Sequence, residues 1–457
     1  MEESIKLRIK KLIEENKTFE ARLLINEHFK IEEIDIEIFS MLGIIEILEG
    51  NFSSAKRIFK EGLDKEPQNY DLLYNIHYLF NNFLAHTSEK NRYYIWSKLF
   101  DVNLEVENPF IIQERQAFDI KKSNVLHGTI EIANQMNTVT RGLSNMGINA
   151  KSLNYYPSYL KYKTDYEIDL YKGNDPKVAN VISKKLASRF INENDIFHFH
   201  FGTSLTLDYS DLPLLKELQK KVVMQYWGSD IRLYSKAVKM NPYIKVKDMN
   251  EDRIKRKLEL VSKYIPDCIV DYELAEYAKE FHENIHYTKV AINLDEYNYS
   301  YCNESSERKI TIVHAPTSPE HKGTDFILRA ISELSINFDI DFELVEGKSN
   351  EEAKKIYMKA DLVIDQILAG SYGVFAVEAM AMGKPVICWI SDFMKEQYPE
   401  DLPIISANPD TIKNTLEKLL KNRDSLKEIG NDGRKYVEKY HDVNCISKNM
   451  IEIYNKI

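Results

Sequence analysis

The chain has 457 residues, of which 44% are hydrophobic and 29% are charged, a balance typical of soluble globular proteins with two or three domains. The formal net charge is -10, which argues against a general nucleic-acid binder because an acidic surface repels phosphates. No apolar run approaches the roughly 20 residues of a membrane span, and the charged N-terminus lacks a signal-peptide core. We therefore expect a cytoplasmic protein without a membrane span.

Residues 1–110 carry apolar residues three and four positions apart, which predicts an all-α domain. One stretch has the spacing of a tetratricopeptide unit, in which small residues let two antiparallel helices cross closely. The matching positions are Phe39, Leu42, Gly43, Ala55, Phe59 and Pro67, with weaker units at Ala21, Ile25, Leu73 and Ile76. Two interpretations stay open for these helices. They form a surface that contacts a protein or peptide, or they form a helical cap or a dimerisation surface of a homo-oligomer.

In residues 122–295 the pattern changes to short apolar strands that alternate with helices, and one of these helices is expected at 134–146. This alternation predicts a parallel sheet with helices on both faces, as in a Rossmann-like domain. The strands are expected at 125–127, 150–155, 196–201, 222–226 and 268–270.

The pattern restarts after a polar gap at 300–308 and predicts a second Rossmann-like domain over residues 305–440. Its strands are expected at 310–314, 342–345, 362–365, 386–389 and 402–405. Ligands of such sheets bind at the carboxyl ends of the strands, so both domains are expected to face one cleft.

The most informative stretch is QILAGSYGVFAVEAMAMGKPVIC, which follows a predicted strand of the second domain. Gly370, Ser371 and Gly373 form a turn of small residues immediately before a helix that we predict at 374–382. The free amides and the dipole of a helix start favour an anion, most naturally a pyrophosphate. Glu378 lies just over one turn into the helix, where its carboxylate can accept hydrogen bonds from two ribose hydroxyls. The alternative is an ordinary strand–turn–helix with Glu378 in a structural ion pair.

Lys322 lies in the loop that follows the first strand of the same domain, ahead of Gly323. A lysine there can neutralise a phosphate at the carboxyl end of the sheet. A pyrophosphate that leaves a sugar develops charge, which the protein must compensate when no metal does so. A lone loop lysine is usually only solvated, but here the lysine and the glycine turn belong to the same edge of one sheet.

The segments HKGTDFILRAI and SYGVFAVEAMAMGKPVI resemble the donor-binding half of the retaining glycosyltransferases of the GT-B fold, family 4 in the sugar-transferase classification. The likeness extends over residues 124–457 through further segments in the expected order. These are NVLHGTIEIANQMNTVTRGLSNMGINAKSL, QYWGSDIR, CIVDYELAEY, VAINLDEYNY and LKEIGNDGRKYVEKYH. The resemblance implies an α/β protein with two facing Rossmann-like domains. It also implies that residues 441–457 form a crossover helix that packs back on the first of these domains.

The family pattern implies roles for individual residues. Lys322 would contact the donor diphosphate and Glu378 the ribose, which makes these two the catalytic candidates. The remaining positions of the implied donor site are Thr317, Gly370, Ser371, Tyr372, Gly373 and Val374, with backbone amides of 371–374 on the phosphates. The positions implied to line the cleft opposite the donor are Gly128, Thr129 and Ile130. The implied co-substrate is a nucleotide-diphosphate sugar, UDP-linked, with no cofactor and no catalytic metal.

Two positions depart from the family pattern. The arginine expected five residues before Lys322 is Thr317, which halves the formal positive charge on the diphosphate. The glutamate expected eight residues before Glu378 is Gly370, and the nearest acid is Asp365. His321 is a candidate to compensate in part, although a histidine beside a lysine is more often solvent-facing.

The first Rossmann-like domain offers further cleft candidates. His198 and His200 share one face of a strand, but no third ligand at a suitable spacing is apparent, so a packed or hydrogen-bonded pair is favoured over a metal site. Trp227 either stacks on a sugar or fills core. Asp230 either faces the cleft or pairs with Arg232. The cysteines, which form no CxxC pair and predict neither zinc nor a disulfide framework, are Cys268, Cys302, Cys388 and Cys445.

The sequence thus predicts a retaining glycosyltransferase of the hexosyltransferase type, which acts by orientation and charge stabilisation without a side-chain nucleophile. The acceptor is expected to be a protein or peptide, as in protein glycosylation, or a glycan, as in the synthesis of cell-surface polysaccharide. The alternative from another class is a non-catalytic scaffold with a degenerate transferase fold, which Thr317 and Gly370 favour and Lys322 and Glu378 oppose.

Overall fold

The computed structural model describes residues 2–29, 35–84, 87–106, 108–110, 118–299 and 309–457. The predicted gap at 300–308 lies outside the described residues, as does Cys302. The helices are α1 (Glu2–Glu14), α2 (Thr18–His28), α3 (Ile36–Leu48), α4 (Phe52–Lys65), α5 (Tyr70–Asn82), α6 (Thr87–Leu99), α7 (Gln135–Asn145), α8 (Pro176–Glu193), α9 (Asp211–Glu217), α10 (Tyr234–Met240), α11 (Glu251–Tyr264), α12 (Tyr272–Ala278), α13 (Pro319–Lys322), α14 (Thr324–Leu334), α15 (Asn350–Tyr357), α16 (Val374–Ala381), α17 (Asp392–Gln397), α18 (Ile412–Lys421), α19 (Ser425–Tyr440) and α20 (Val443–Lys456).

The strands are β1 (Asn124–Thr129), β2 (Asn149–Asn154), β3 (Tyr166–Glu167), β4 (Ile196–His200), β5 (Lys221–Gln225), β6 (Asp267–Val270), β7 (Asn284–Tyr287), β8 (Ile310–His314), β9 (Ile340–Leu344), β10 (Leu362–Ile364) and β11 (Val386–Ile387). The chain forms two compact units. The first contains Met1–Phe118, Leu170–Asn194 and Leu205–Gln219, and the second contains Asp119–Asp169, Asp195–Ser204 and Lys220–Ile457. The domain boundaries expected at 1–110, 122–295, 305–440 and 441–457 stay predictions.

Helices α1–α6 confirm the predicted all-helical N-terminal segment. The first unit also contains α8 and α9, which come from the region 122–295. Most of the repeat positions are buried in two clusters, one around Phe59 and one around Ile25. At Gly43, an added Cβ would lie 2.1 Å from the Phe59 ring, so α3 and α4 pack together only because this residue has no side chain. This contact agrees with the close helix crossing predicted from the small residues, while the tetratricopeptide assignment itself stays a prediction.

The second unit is built on two parallel sheets, which confirms the predicted α/β fold class. The seven-stranded sheet has the order β3-β2-β1-β4-β5-β6-β7, and the four-stranded sheet has the order β11-β10-β8-β9. The short edge strands β3 and β7 were not predicted, because neither has a continuous apolar run; β7 reads Asn-Ile-His-Tyr and is only half-buried. Parallel strands end at a common edge, so β8 and β10, which are neighbours, bring the loops after them together.

The strand expected at 402–405 is wrong. The residues make an isolated bridge between Ile405 and Ile387 rather than a strand, with Ile405 N donating to Val386 O at 3.0 Å. Pro403 explains the difference, because proline has no N–H for a ladder and cannot continue one in the middle of a sheet.

The C-terminal helix α20 packs against the seven-stranded sheet and α7. Ile446, Met450 and Ile453 of α20 share one core with Val125 and Ile196 of the sheet. Among the described residues, no helix is both long enough and apolar enough to cross a membrane.

Candidate active site

The glycine turn between β10 and α16 is closed by two polar side chains from its own loop. Gly373 is the N-cap of α16, and its amide N donates to Asp365 Oδ2 at 3.0 Å. Gln366 Nε2 donates to the Ser371 carbonyl O at 2.6 Å. The helix start that was predicted to bind a phosphate is therefore present. Its first amide, that of Gly373, already donates a hydrogen bond to the Asp365 carboxylate.

Gly370 has a left-handed backbone conformation, with a φ of +80°. A Cβ added there would also lie 3.1 Å from Ser391 Cβ and 3.2 Å from Asn241 Nδ2. A glutamate at this position would therefore be strained and crowded. The neighbouring Tyr372 directs its hydroxyl away from the turn, to His441 Nε2 at 3.1 Å.

Lys322 is the last residue of α13 and lies beside the start of α16. Its Nζ is 2.5 Å from Asp365 Oδ1, and the Asp365 side chain is fully buried. One carboxylate thus bridges the Lys322 ammonium and the Gly373 amide. The ammonium lies at the predicted edge of the sheet, but an internal anion compensates its charge. The sequence identified Asp365 as the nearest acid and did not identify it as the partner of Lys322.

A cavity of about 220 Å³ lies next to Lys322. Its lining residues include Trp227, Arg232, Lys245, Lys247, Thr317, His321 and Lys322. His321 Nδ1 hydrogen-bonds to Ser318 Oγ at 2.7 Å, so its ring is held by the local turn. Arginine and lysine therefore outnumber acidic side chains in the lining of this cavity, although Thr317 itself is neutral.

Glu378 is buried in α16, and Tyr297 OH donates to its Oε1 at 2.7 Å. Burial raises the pKa of the Glu378 carboxyl, while Tyr297, Lys354 and Asn350 lower it. Asn350 and Lys354 also line a polar cavity of about 1100 Å³. The closest partner of Glu378 is a tyrosine hydroxyl rather than the cation of the structural alternative. Sequence reasoning missed Tyr297, since it precedes Glu378 by 81 residues in another part of the chain.

The cleft residues expected at the end of β1 are mostly turned inward. Gly128 and Thr129 are buried, and Thr129 Oγ1 lies 3.0 Å from Thr203 Oγ1, so only Ile130 is partly exposed. Glu131, which sequence reasoning missed, accepts hydrogen bonds from the amides of Met136 and Asn137 at 3.1 and 3.0 Å. Burial raises the pKa of the Glu131 carboxyl to about 8, against the lowering effect of these amides. Its position ahead of a predicted helix was the available signal.

The suggested ion pair between Asp230 and Arg232 is wrong. Asp230 Oδ1 accepts from the amides of Trp227 and Gly228 at 3.0 and 2.7 Å. Arg232 forms a two-pronged ion pair with Glu273 on α12, at 2.7 and 2.6 Å. The amides of the turn already donate hydrogen bonds to the Asp230 carboxylate. The two carboxylate oxygens of Glu273 match the two N–H groups of the Arg232 guanidinium, which favours this pair. Burial raises the pKa of Asp230 to about 6.

His198 and His200 lie beside a third histidine, His127 on β1, which no spacing in the sequence indicated. His127 and His198 are register partners in the sheet, and the ligand atoms of the three rings lie within 4.8 Å of one another. The rings of His198 and His200 stack at 5°, with their centroids 4.5 Å apart. Stacked rings direct their in-plane nitrogens in parallel rather than toward one point, so the cluster does not fit a tetrahedral metal site.

Every nitrogen of these three rings is hydrogen-bonded in one continuous chain. The chain runs through Trp227, His200, His127, Tyr454, His198 and Gln225, with successive distances of 3.2, 3.1, 2.9, 2.8 and 3.0 Å. The indole of Trp227 can only donate and the Gln225 Oε1 can only accept, so all the hydrogens point from Trp227 toward Gln225. Burial lowers the pKa of His198 to about 3 and those of His127 and His200 well below the usual value, so the rings are neutral, as this order requires. We refer to this series of hydrogen bonds, from Trp227 to Gln225, as the histidine chain. It fixes the indole of Trp227, which lines the cavity beside Lys322.

Residues 341–436, which include the glycine turn and Glu378, match the family described as "Glycosyl transferases group 1". The chain is 22% identical over 248 residues to an uncharacterized glycosyltransferase of Methanocaldococcus jannaschii, a match that covers 49% of this chain and 65% of the relative's length.

Two solved structures show the fold. HepE of Anabaena in complex with UDP-glucose has a TM-score of 0.53 at 11% identity, over 73% of this chain and 100% of that chain. The sucrose-phosphate synthase of Thermosynechococcus elongatus has a TM-score of 0.51 at 12% identity, over 73% and 99%. The α/β part of the chain therefore has the GT-B fold, and its residues 341–436 carry a match to the group 1 glycosyl transferases.

Proposed function

We propose that the protein is a glycosyltransferase that moves a sugar from a nucleotide-diphosphate donor to a hydroxyl acceptor. The observation that carries this proposal is the anion position at the start of α16. Lys322 Nζ and the Gly373 amide converge on one carboxylate group, 2.5 and 3.0 Å from its two oxygens. A donor phosphate that displaces Asp365 would meet an ammonium and a helix start together, which is the pairing that an anion prefers.

The match of residues 341–436 supports the reaction class, and the UDP-glucose in the HepE complex supports a nucleotide sugar as the donor class. We assign binding of the ribose to Glu378. The two ribose hydroxyls would replace the Tyr297 hydroxyl, which now donates to Glu378 Oε1. We further propose a UDP-linked hexose as the donor and a reaction without a metal. The acceptor would be a protein, a peptide or a cell-surface glycan.

We propose retention of the anomeric configuration, with the acceptor attacking from the face that the diphosphate leaves. In this mechanism Lys322 and the amides of α16 stabilise the charge on the departing diphosphate. The two sheets hold the acceptor hydroxyl on the face of the sugar that the diphosphate leaves, and closure around them excludes water, which would otherwise hydrolyse the donor.

The test is a thermal-shift screen of the full chain against UDP-, GDP-, ADP- and CDP-linked sugars, followed by a measurement of donor turnover. We expect one donor to raise Tm by mass action and this shift to be lost in Lys322→Ala and reduced in Glu378→Gln. Lys395→Ala, on the exposed part of α17, is the control. NMR of the product reads its anomeric configuration directly.

If no nucleotide sugar shifts Tm and none is consumed with any protein, peptide or glycan acceptor, the protein is a non-catalytic scaffold with a transferase fold. A product of inverted configuration would keep the transferase and reject retention.

A further inference from the structure

The segment between α10 and α11 lies in the chain between β5 and β6 of the seven-stranded sheet, but it contacts loops of the four-stranded sheet. Asn241 Nδ2 donates to the Leu368 carbonyl O at 2.8 Å, in the loop that leads to the glycine turn. Tyr243 OH hydrogen-bonds to Asp410, and its ring meets Trp389 edge-on at 5.0 Å. These contacts, at residues 241 and 243, hold the start of a stretch that continues along the candidate donor site to Lys247.

Lys247 lies at the end of this stretch and lines the cavity that Lys322 and Thr317 also line. The other cations of the cavity have carboxylate partners: Lys322 has Asp365, Arg232 has Glu273 and Lys245 has Glu320. Within the part of the chain that the structure describes, Lys247 forms no ion pair or hydrogen bond. The cavity has one acidic lining residue, Asp248, and that carboxylate pairs with Arg253 at 2.5 Å.

Lys247 is a cation that no carboxylate of the described residues neutralises. Partial burial lowers the pKa of its ammonium, and the charges on Lys322 and Arg232 lower it further. An anion in the cavity would remove this repulsion, and it would gain a charge-assisted hydrogen bond from an ammonium that no protein group uses.

We propose that Lys247 binds the diphosphate of the donor and supplies the positive charge that the neutral Thr317 lacks. This inference rests on the proposed function. Lys322 alone brings one charge, already compensated by Asp365, to a group that carries at least two negative charges. Lys247 restores the positive charge of the cavity from the opposite domain. A donor held by both lysines connects the two domains through its diphosphate.

The proposal predicts a loss that is specific to the phosphates. Titration calorimetry compares UDP, ADP, GDP and CDP with their nucleosides on wild type and on Lys247→Ala. For the diphosphate that binds, we expect a Kd about 10- to 100-fold weaker in the variant, as for a lost hydrogen bond between charged groups. The affinity for the nucleoside should stay within about twofold. Lys239→Ala, an exposed lysine of α10, is the charge-matched control.

A second variant tests the compensation directly. Thr317→Arg in the Lys247→Ala background places the family's arginine in the same cavity, and we expect it to recover most of the lost diphosphate affinity. The proposal is overturned if Lys247→Ala binds the diphosphate as wild type does, or if the nucleoside weakens by the same factor. If wild type binds none of the four diphosphates, both the proposed function and this inference fail. Binding by wild type that Lys247→Ala leaves intact removes this inference alone.

Discussion

Asp365 shows how far single residues could be predicted. The sequence placed Lys322 and the glycine turn at one sheet edge, because both follow neighbouring strands of an alternating pattern. It did not predict that a buried carboxylate joins them, at 2.5 and 3.0 Å. Which acid reaches a lysine 43 residues away depends on where β10 ends relative to α13. No spacing rule contains that information.

The bridge by Asp365 implies competition with the donor. Asp365→Asn removes the internal anion while it leaves an oxygen for the Gly373 amide. We expect the nucleoside diphosphate to bind about three- to tenfold more tightly, or about 0.6–1.4 kcal/mol, as measured by titration calorimetry. Asp325→Asn, an acid in the first turn of α14, is the control. Weaker binding in Asp365→Asn would mean that the carboxylate positions Lys322 for the donor instead.

The raised pKa of Glu131 predicts how the unfolding free energy changes with pH. Its folded-state pKa of about 8 lies above the ordinary 4.5, so the folded protein binds a proton that the unfolded chain releases. Stability from this group is present below pH 4.5 and is lost as the pH rises toward 8. Glu131→Gln should therefore flatten the fall of the unfolding free energy over this range, as read from urea titrations at several pH values. Equal slopes for the variant and wild type would show that Glu131 is ionised throughout.

At the scale of elements, the sequence predicted the all-helical N-terminal segment and most of the strands, because helical spacing of apolar residues marks the first and short apolar runs mark the second. It failed where a single residue or an edge decided the outcome, at Pro403 and at the short strands β3 and β7. It also failed at the histidine chain, which joins β1, β4 and α20. Two of its histidines were visible as a pattern, but His127 and Tyr454 are 327 residues apart and meet only because α20 packs on the sheet.

Tyr454 is the link of the histidine chain that can be removed without a change of shape. Tyr454→Phe leaves a nitrogen of His127 without its acceptor and a nitrogen of His198 without its donor, in a fully buried site. Each orphaned polar atom costs about 1–3 kcal/mol, so urea denaturation should show a clear loss of unfolding free energy. Tyr440→Phe, a partly exposed tyrosine of α19, should change it little. A Tyr454→Phe variant as stable as wild type would show that the Tyr454 hydroxyl does not join the two histidines in the folded protein.

A second element prediction concerns the contact between α7 and α20. A Cβ at Gly142 would lie 2.2 Å from Ser447 Oγ and 2.6 Å from Val443 Cγ2. Gly142→Ala should therefore overpack this interface and lower the unfolding free energy by about 1–3 kcal/mol, despite the better helix propensity of alanine. Ser447→Gly in the same background should recover part of the loss, which separates a local clash from a general effect on α7.

At the scale of the whole molecule, the alternation of strands and helices predicted two parallel sheets, and the resemblance of the donor-binding segments implied the GT-B fold. Neither the alternation nor the resemblance predicted the pairing between distant side chains. Burial of histidines is one property that emerges only at this scale. The histidines whose pKa burial lowers are His77, His127, His198, His200, His282, His314 and His441.

These buried histidines predict sensitivity to acid. Their folded pKa values lie below the ordinary 6.5, at about 4 for His77 and His314 and about 3 for His441, so the unfolded chain takes up protons first. Stability from these groups is full above pH 6.5 and is lost as the pH falls toward 3. We expect Tm to fall steeply below pH 6.5 in differential scanning calorimetry. A Tm that stays level between pH 6.5 and 4.5 would contradict their neutral burial.

The one-way order of the histidine chain has a consequence for isotope labelling. Each of its three rings must carry its hydrogen on Nε2, since every Nδ1 accepts. None of these hydrogens can reach solvent until the helix at the C-terminus lifts from the sheet or the indole at the other end swings away. In heavy water, the three imidazole hydrogens should therefore exchange at one common slow rate. That rate would measure how often the histidine chain opens at either of its ends.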